Sequence, residues 1–282
     1  MKALIFGQSG QVARALARSV PAGVTARFLG RDQADLRQPE ACAAQITDCD
    51  IVINAAAFTA VDLAESQERD AALVNAEAPR QMARACAAKD VPLIHLSTDY
   101  VFDGAGNAPF VPDHPTAPLG AYGRSKLGGE AGIRGAGARA VILRTSWVFS
   151  ADGSNFVKTM LRLGAQKDSL NVVADQIGGP TPAAEIAIAI WRIAYTLRQG
   201  HLGGTYHFSG APDVSWADFA RAIFQAAGLP CAVQDIPASA YPTPARRPAN
   251  SRLDCSATLR DFGIARPDWR AALPALIKEI NP

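Results

Sequence analysis

Short apolar runs alternate, along the first half of the chain, with stretches in which apolar residues recur at helical spacing. The runs are Ala-Leu-Ile-Phe at 3–6, Val24 to Leu29, Ile-Val-Ile-Asn at 51–54, Val91 through Leu96 ending in Ser97-Thr98, and Ala140 to Thr145. The runs at 3–6 and from Val91, apolar along their length, read as buried parallel strands, and the others as further strands of the same sheet. Val12, Leu16 and Val20 mark a helix after the first run. Residues 62–90 read as helical, with Pro79 marking a kink or a break. Strand and helix alternate throughout this half, which predicts an α/β protein with a doubly wound parallel sheet of the Rossmann type.

After Phe149 the alternation blurs, as expected where a smaller, mostly C-terminal substrate domain begins. The expected division is a dinucleotide-binding domain of residues 1–150 and 183–208, and a substrate domain of residues 151–182 and 209–282. Leu170 to Ala174 and Thr205 to Phe208 read as strands. Thr181 is expected to cap a helix with Pro182 at its first position, and Ile186, Ile190, Ile193 and Leu197 form its apolar face. Ser215 and Asp218 have capping-box spacing before a helix that Gly228 ends. Trp269, Leu273, Ile277 and Ile280 outline a closing amphipathic helix containing Pro274.

Composition narrows the class. A hydrophobic content of 49% with 19% charged residues describes a globular chain with ample core. Its 282 residues suit one large or two unequal domains. The net charge is +2 without a basic tail, so no nucleic-acid partner is expected. Ala183 to Leu197 is the most apolar helix-length stretch, but Glu185 and Arg192 interrupt it, and no membrane span is expected. The apolar start at residues 3–6 stops too early for a signal peptide. Five cysteines without a Cys-x-x-Cys pair suit a reducing cytoplasm, and with no His-x-x-x-His no metal site is expected.

The chemistry lies at the carboxyl ends of the runs, where open α/β sheets bind ligands. Gly7-x-x-Gly10-x-x-Ala13 joins the first strand to the first helix. Glycines there let the backbone approach a pyrophosphate, whose charge the helix amino terminus favours, and a small third residue permits tight helix–strand packing. The second strand ends at Gly30-Arg31-Asp32. An arginine there accommodates the 2′-phosphate of NADP and a carboxylate the free ribose of NAD, so NADPH is favoured and NADH is possible. Ala55, Ala56 and Ala57 after the third strand let a phosphate and ribose lie close to the backbone, although packing alone also explains them. Tyr122 and Lys126 are four apart and share a face if helical, with the Thr98 hydroxyl as a third group able to serve a carbonyl oxygen during hydride transfer. That helix carries Gly123, Gly128, Gly129 and Gly132, each costing about 1 kcal/mol relative to alanine, so another element is expected to pack closely against it. Arg246-Arg247, in a proline-rich loop, is either solvated or grips a diphosphate.

These motifs, with Asn54-Ala-Ala-Ala-Phe-Thr-Ala-Val-Asp62, Ser97-Thr-Asp-Tyr-Val-Phe-Asp-Gly104, Leu143-Arg-Thr-Ser-Trp-Val-Phe149, Asp175-Gln-x-Gly-x-Pro-Thr181 and Arg247-Pro-x-Asn-Ser251, resemble those of the extended short-chain dehydrogenase/reductases that act on nucleotide-linked sugars. The resemblance covers nearly the whole chain. It implies a catalytic triad of Thr98, Tyr122 and Lys126. It implies cofactor contacts from Gly10, Gln11, Val12, Arg31, Asp35, Leu36, Ala57 and Thr59, and contacts to the sugar nucleotide from Asp99, Tyr100 and Trp147. The implied reaction reduces the C4 ketone of dTDP-4-dehydro-β-L-rhamnose to dTDP-L-rhamnose, with the small dTDP-sugar as partner and a monomer or homodimer as the assembly. Lys126 is expected to lower the Tyr122 pKa from its usual value of about 10. Related dehydratases carry Asp-Glu after the catalytic threonine. Here Tyr100 follows Asp99, leaving no base at that position for water elimination. An epimerase or reductase of another nucleotide-linked keto sugar, and a non-catalytic nucleotide-binding subunit, are the rival readings. Where the family often has a glutamate that helps hold Mg2+ at a dimer interface, this chain has Ala15, so the resemblance suggests the metal and the residue does not support it.

Overall fold

A computed structural model describes residues 1–280. The first half runs β1 (Lys2–Phe6), α1 (Gln11–Arg18), β2 (Thr25–Leu29), α2 (Pro39–Ala44), β3 (Ile51–Asn54), α3 (Val61–Ala64), α4 (Glu68–Ala72), a wide π turn (Leu73–Glu77), α5 (Ala78–Ala88), β4 (Leu93–Thr98), α6 (Ala121–Gly135) and β5 (Ala140–Thr145). There follow β6 (Val148–Phe149), α7 (Phe156–Gly164), β7 (Ser169–Val173), β8 (Ile177–Gly178), β9 (Thr181–Pro182), α8 (Ala183–Arg198) and β10 (Gly203–His207). The chain closes with β11 (Val214–Ser215), α9 (Trp216–Ala227), β12 (Ala232–Ile236), β13 (Asn250–Ser251), α10 (Ser256–Phe262) and α11 (Trp269–Ile280).

Six parallel strands form the main sheet in the order β10-β5-β4-β3-β1-β2. The order reverses at β1, which opens a crevice between the carboxyl ends of β1 and β3. β3 and β5 are buried along their whole lengths, because helices cover both faces. One face packs on α1 and α8 through Leu16, Ile186, Ile190 and Ile193, the other on α2, α5 and α6 through Cys42, Met82, Cys86 and Ile133. A third apolar cluster joins α7, α9 and α11 through Val157, Phe219, Ile223, Phe224, Trp269 and Leu273. Phe262 of α10 packs into the α1–α8 side of the main sheet. No helix among the described residues is long and apolar enough to cross a membrane.

One sequence expectation needs correction. Thr181 does not cap α8. It lies in β9, where its hydroxyl donates to the Gly179 carbonyl and accepts from Gly210 N–H, while Pro182 occupies the N-cap. Pro79 does mark a distortion of the helical run. It sits in the first turn of α5, and the irregularity falls just before it, in the π turn. Proline has no N–H for the Asn75 carbonyl four residues back, and its ring crowds that carbonyl, so the turn widens. Ser215 does cap α9, accepting from Asp218 N–H at 2.9 Å, and Gly228 ends it in the left-handed region.

The close packing expected for the glycine-rich helix is present. A Cβ on Gly129 would lie 2.1 Å from the Asn75 carbonyl oxygen, and one on Gly123 would lie 2.2 Å from that of Tyr100. Backbone cannot yield as a side chain can, so Gly129→Ala is expected to destabilise by about 1–3 kcal/mol despite alanine's better helix propensity. Gly135→Ala, with nothing within 4 Å of the added methyl, is expected to be neutral or slightly stabilising. Urea denaturation of the two variants checks the contrast, and an equally stable Gly129→Ala would mean that α6 can shift away from the π turn.

Candidate active site

A cleft of about 760 Å3 runs along the carboxyl ends of β1, β2, β3, β4 and β5. At its floor Gly7 has φ +115°, a conformation open to glycine, and a Cβ there would press to 3.3 Å on the backbone of Ala55 and Ala56. Gly10 is the N-cap of α1 and supplies no side-chain acceptor, so the first N–H groups of the helix are free to meet an anion. Gln11 and Val12 follow at the same rim, and Ala55, Ala56, Ala57 and Thr59 form the opposite wall. The Gln11 side chain is already engaged, accepting from Ser150 and from Asn155, so toward the cleft it offers its backbone. Arg31, Asp35 and Leu36 line the end nearest β2. Arg31 is exposed there, whereas the Asp35 carboxylate is gripped by Arg37 at 2.6–3.1 Å, which holds its carboxyl below the usual range.

At the other end of the cleft, β4 delivers Thr98 and α6 delivers Tyr122 and Lys126. The amino terminus of α6 is held by Glu65, whose carboxylate accepts from Ala121 N–H at 2.8 Å. Tyr122 meets Tyr100 edge-on, with ring centroids 5.4 Å apart. Thr98 Oγ1 donates to Asp99 at 3.1 Å and accepts from Tyr100 N–H. Burial pushes the Asp99 carboxyl up to about 6 against nearby Ser251 and Thr98 hydroxyls, and its Oδ2 has no hydrogen-bond partner. Thr145 Oγ1, beside Thr98 in the sheet, is likewise buried and unpartnered. Two orphaned polar atoms in one cleft mark a place where a polar ligand completes the hydrogen bonding.

The expected effect of Lys126 on Tyr122 is not seen. Burial pushes the phenol up to about 12, opposed by the Thr98 hydroxyl and reinforced by Asp99. Lys126 Nζ points the other way, donating to the Leu96 carbonyl at 2.6 Å with His95 Nε2 3.2 Å away, and burial pushes its pKa down to about 8.

Several residues that sequence reasoning missed build this end of the cleft. Glu130 lies one turn beyond Lys126 on the same face of α6, fully buried, with its carboxylate bridged to Arg144 of β5 at 2.6 and 2.8 Å and to Ser97 of β4 at 2.6 Å. It ties the helix to the two strands that carry Thr98 and Thr145. Asn75, in the π turn, accepts from Phe58 N–H and donates to the Phe58 carbonyl and Ser125, fixing α6 from the other side. The four-residue step Tyr122, Lys126, Glu130 was the available signal for the first of these. For Asn75 the signal was partial, because Pro79 marks a distortion of the helical run but not which side chain it turns inward.

Trp147 has φ +48°, rare for a bulky residue, and its ring lies flat on Trp216 at 3.5 Å at the cleft mouth. Arg247 is the one expected site residue outside the cleft lining. It pairs bidentately with Asp62, at 2.9 and 2.8 Å, and so joins the proline-rich loop to α3. The reading of a solvated guanidinium does not hold for Arg247, whose partner is a carboxylate.

A doubly wound sheet whose glycine turn shares a cleft with a hydroxyl, a tyrosine and a lysine one helical turn on defines a short-chain dehydrogenase/reductase. The family model described as RmlD substrate binding domain matches residues 1–281. A dTDP-4-dehydrorhamnose reductase of Sinorhizobium fredii is 45% identical over 98% of this chain and 97% of its own length. Among solved structures, the dTDP-4-dehydrorhamnose reductase from Clostridium acetobutylicum superposes with a TM-score of 0.93 at 32% identity, covering all of both chains. The Bacillus anthracis enzyme in complex with NADP superposes with a TM-score of 0.90 at 32% identity, covering 99% of each. The chain belongs to the family of the dTDP-4-dehydrorhamnose reductases.

Proposed function

We propose that this chain reduces the C4 ketone of dTDP-4-dehydro-β-L-rhamnose to dTDP-L-rhamnose at the expense of NADPH. The observation that carries the reading is the continuity of one cleft from the Gly7–Gly10 turn to Thr98, Tyr122 and Lys126. The bare glycine floor and the uncapped start of α1 suit a dinucleotide pyrophosphate. Residues 1–150 and 183–208 would carry the cofactor, and residues 151–182 and 209–282 would close on the sugar nucleotide.

When bound, the nicotinamide supplies a hydride to C4 of the sugar. Tyr122 donates a proton to the oxygen as it becomes an alkoxide. Its raised pKa of about 12 keeps the phenol protonated at neutral pH, the form a reduction requires. Thr98 donates a hydrogen bond to the same oxygen, and Lys126 binds the nicotinamide ribose and so aims the ring. Asp99, Tyr100 and Trp147 contact the sugar nucleotide. Arg31 receives the 2′-phosphate, while Arg37 pairs with Asp35 and so offsets the carboxylate's repulsion of that phosphate. Arg247, held by Asp62 and close enough to Tyr100 to act on its phenol, contacts the diphosphate of the sugar nucleotide.

Ala15 is buried in α1 and offers no oxygen ligand, so at that position the chain lacks the carboxylate that would help hold a bridging Mg2+.

Steady-state NADPH oxidation with dTDP-, GDP- and UDP-linked 4-keto-6-deoxy sugars tests the proposal. The dTDP sugar is expected to be turned over with the highest kcat/KM, and Arg31→Ala to raise KM for NADPH well above any change for NADH. Absence of NADPH oxidation with every keto sugar would overturn it.

A further inference from the structure

Beneath Lys126 lies a chain of buried polar groups that the reduction itself does not use. Asn54, the last residue of β3, is 1% exposed, and His95 of β4 is fully buried. The Asn54 amide is oriented by the backbone, for its Oδ1 accepts from Ala56 N–H at 3.2 Å. Its NH2 group therefore faces His95 Nδ1, 3.1 Å away, and an amide nitrogen can only donate. His95 Nδ1 must then keep its lone pair. Burial holds the imidazole neutral, so its single proton sits on Nε2.

That proton points at Lys126 Nζ, 3.2 Å away. An ammonium has three donors and no acceptor, so an Nε2–H facing it is a repulsive contact, whereas an amine lone pair accepts from it. Lys126 still donates one of its own hydrogens to the Leu96 carbonyl. The charges around it offer little to keep the ammonium. Glu130 is the carboxylate on the same helix face, and it is committed to Arg144, Arg134 and Ser97. Tyr122 is protonated, and Asn75, from the π turn packed on α6, is uncharged.

We propose that Asn54 and His95 are positioning residues that shift Lys126 toward its neutral amine in the cofactor-free protein, so that NADPH binding at alkaline pH draws a proton from solvent onto Lys126. The proposal rests on the reading of Lys126 as the ligand of the nicotinamide ribose. The proton goes to Nζ as the side chain leaves His95 and turns its donors to the ribose. The sign follows from linkage. Lys126 has a higher pKa with cofactor bound than without it, so affinity falls as pH rises through the free-protein value, by up to about tenfold per pH unit.

Nitrogen-15 NMR of histidine-labelled, cofactor-free protein, with His95 assigned by its loss in His95→Gln, reads the tautomer directly. A proton on Nε2 is expected, and a proton on Nδ1 overturns the proposal whether or not NADPH binds. Calorimetric titration with NADPH at pH 8, in buffers of different ionisation enthalpy, is expected to show net proton uptake by the parent. Asn54→Asp keeps the shape and the Ala56 contact but offers Nδ1 an acceptor. It is expected to move the proton to Nδ1, let Nε2 accept from the Lys126 ammonium and abolish most of the uptake. It should also shift the alkaline loss of NADPH affinity upward by about one pH unit. A structural role alone would weaken binding without moving that limb. No uptake by the parent, or equal uptake by a folded Asn54→Asp, overturns the proposal. Failure of the parent to bind NADPH at all would instead refute the cofactor reading, leaving the tautomer result standing.

Discussion

Tyr122→Phe is expected to lower turnover by about 10²–10⁴ while leaving stability within about 1 kcal/mol of the parent. The ring and its edge-on contact with Tyr100 survive the substitution, so packing changes little. What is lost is the acidic hydroxyl beside Thr98, and no other acid takes its place at that point. Asp99 is within reach of Thr98, but its carboxyl, pushed up to about 6, is largely ionised at neutral pH and accepts where a donor is needed. NADPH binding should persist, because Lys126 and the glycine turn remain. Steady-state NADPH oxidation, a thermal melt and a cofactor titration read the three effects separately. Turnover within a few-fold of the parent would remove Tyr122 as the proton donor and favour a binding role for the fold.

Glu130→Ala is expected to cost about 3–5 kcal/mol, the largest stability loss of any single substitution considered, because it strands the buried Arg144 guanidinium. Arg144 is 2% exposed, and it would keep the Pro112 carbonyl, the contact with His207 and the face of the Phe102 ring, none of them a countercharge. Replacing both partners, Glu130→Leu with Arg144→Met, should recover much of that loss, since two charges would no longer need compensating. Turnover should stay depressed in the double variant if the ion pair holds Tyr122 and Lys126 in register with Thr98, and full recovery would limit the pair to stability. The pH dependence has a definite sign. Burial pushes the Glu130 carboxyl up, but the Arg144 hydrogen bonds and charge, with Ser97 and Arg134, outweigh it and hold the carboxyl below its ordinary 4.5. A group with a lowered folded pKa stabilises above its unfolded value and loses that contribution as pH falls through the folded one. Acid denaturation of the parent should therefore be steeper than that of the double variant, as followed by circular dichroism from neutral to strongly acid pH.

Much of the sheet was legible from the chain alone. Runs such as Ile51–Asn54 and Ala140–Thr145 have no polar alternation, which only a strand buried on both faces tolerates, and the structure places both inside the six-stranded sheet. Tyr122 and Lys126 were legible because their spacing is one helical turn, and the Gly7–Gly10 turn because it joins a strand to a helix. These are local properties, set by periodicity and by backbone sterics within a few residues. Where local rules competed they misled, as at Thr181, whose hydroxyl found Gly179 and Gly210 in place of the helix end.

The partners of the site residues were beyond reach of the chain's local order. Asn54 and His95 are 41 residues apart, and His95 and Lys126 are 31 apart. Only the adjacency of β3 and β4, with α6 laid across them, brings the three into one hydrogen-bonded chain. Arg247 meets Asp62 across 185 residues, an ion pair that neither residue's neighbours in the sequence announce. The protonation states followed the same division. An exposed Lys126 four residues from Tyr122 would favour its phenolate through water, but burial penalises both charges and the Leu96 carbonyl draws the ammonium away. Residue types and helical or strand spacing by themselves determined the sheet, the glycine turn and the shared helix face of Tyr122 and Lys126. Long-range packing alone decided which way each charge faces and which form it takes, because desolvation and hydrogen-bond direction depend on neighbours that the sequence does not place side by side.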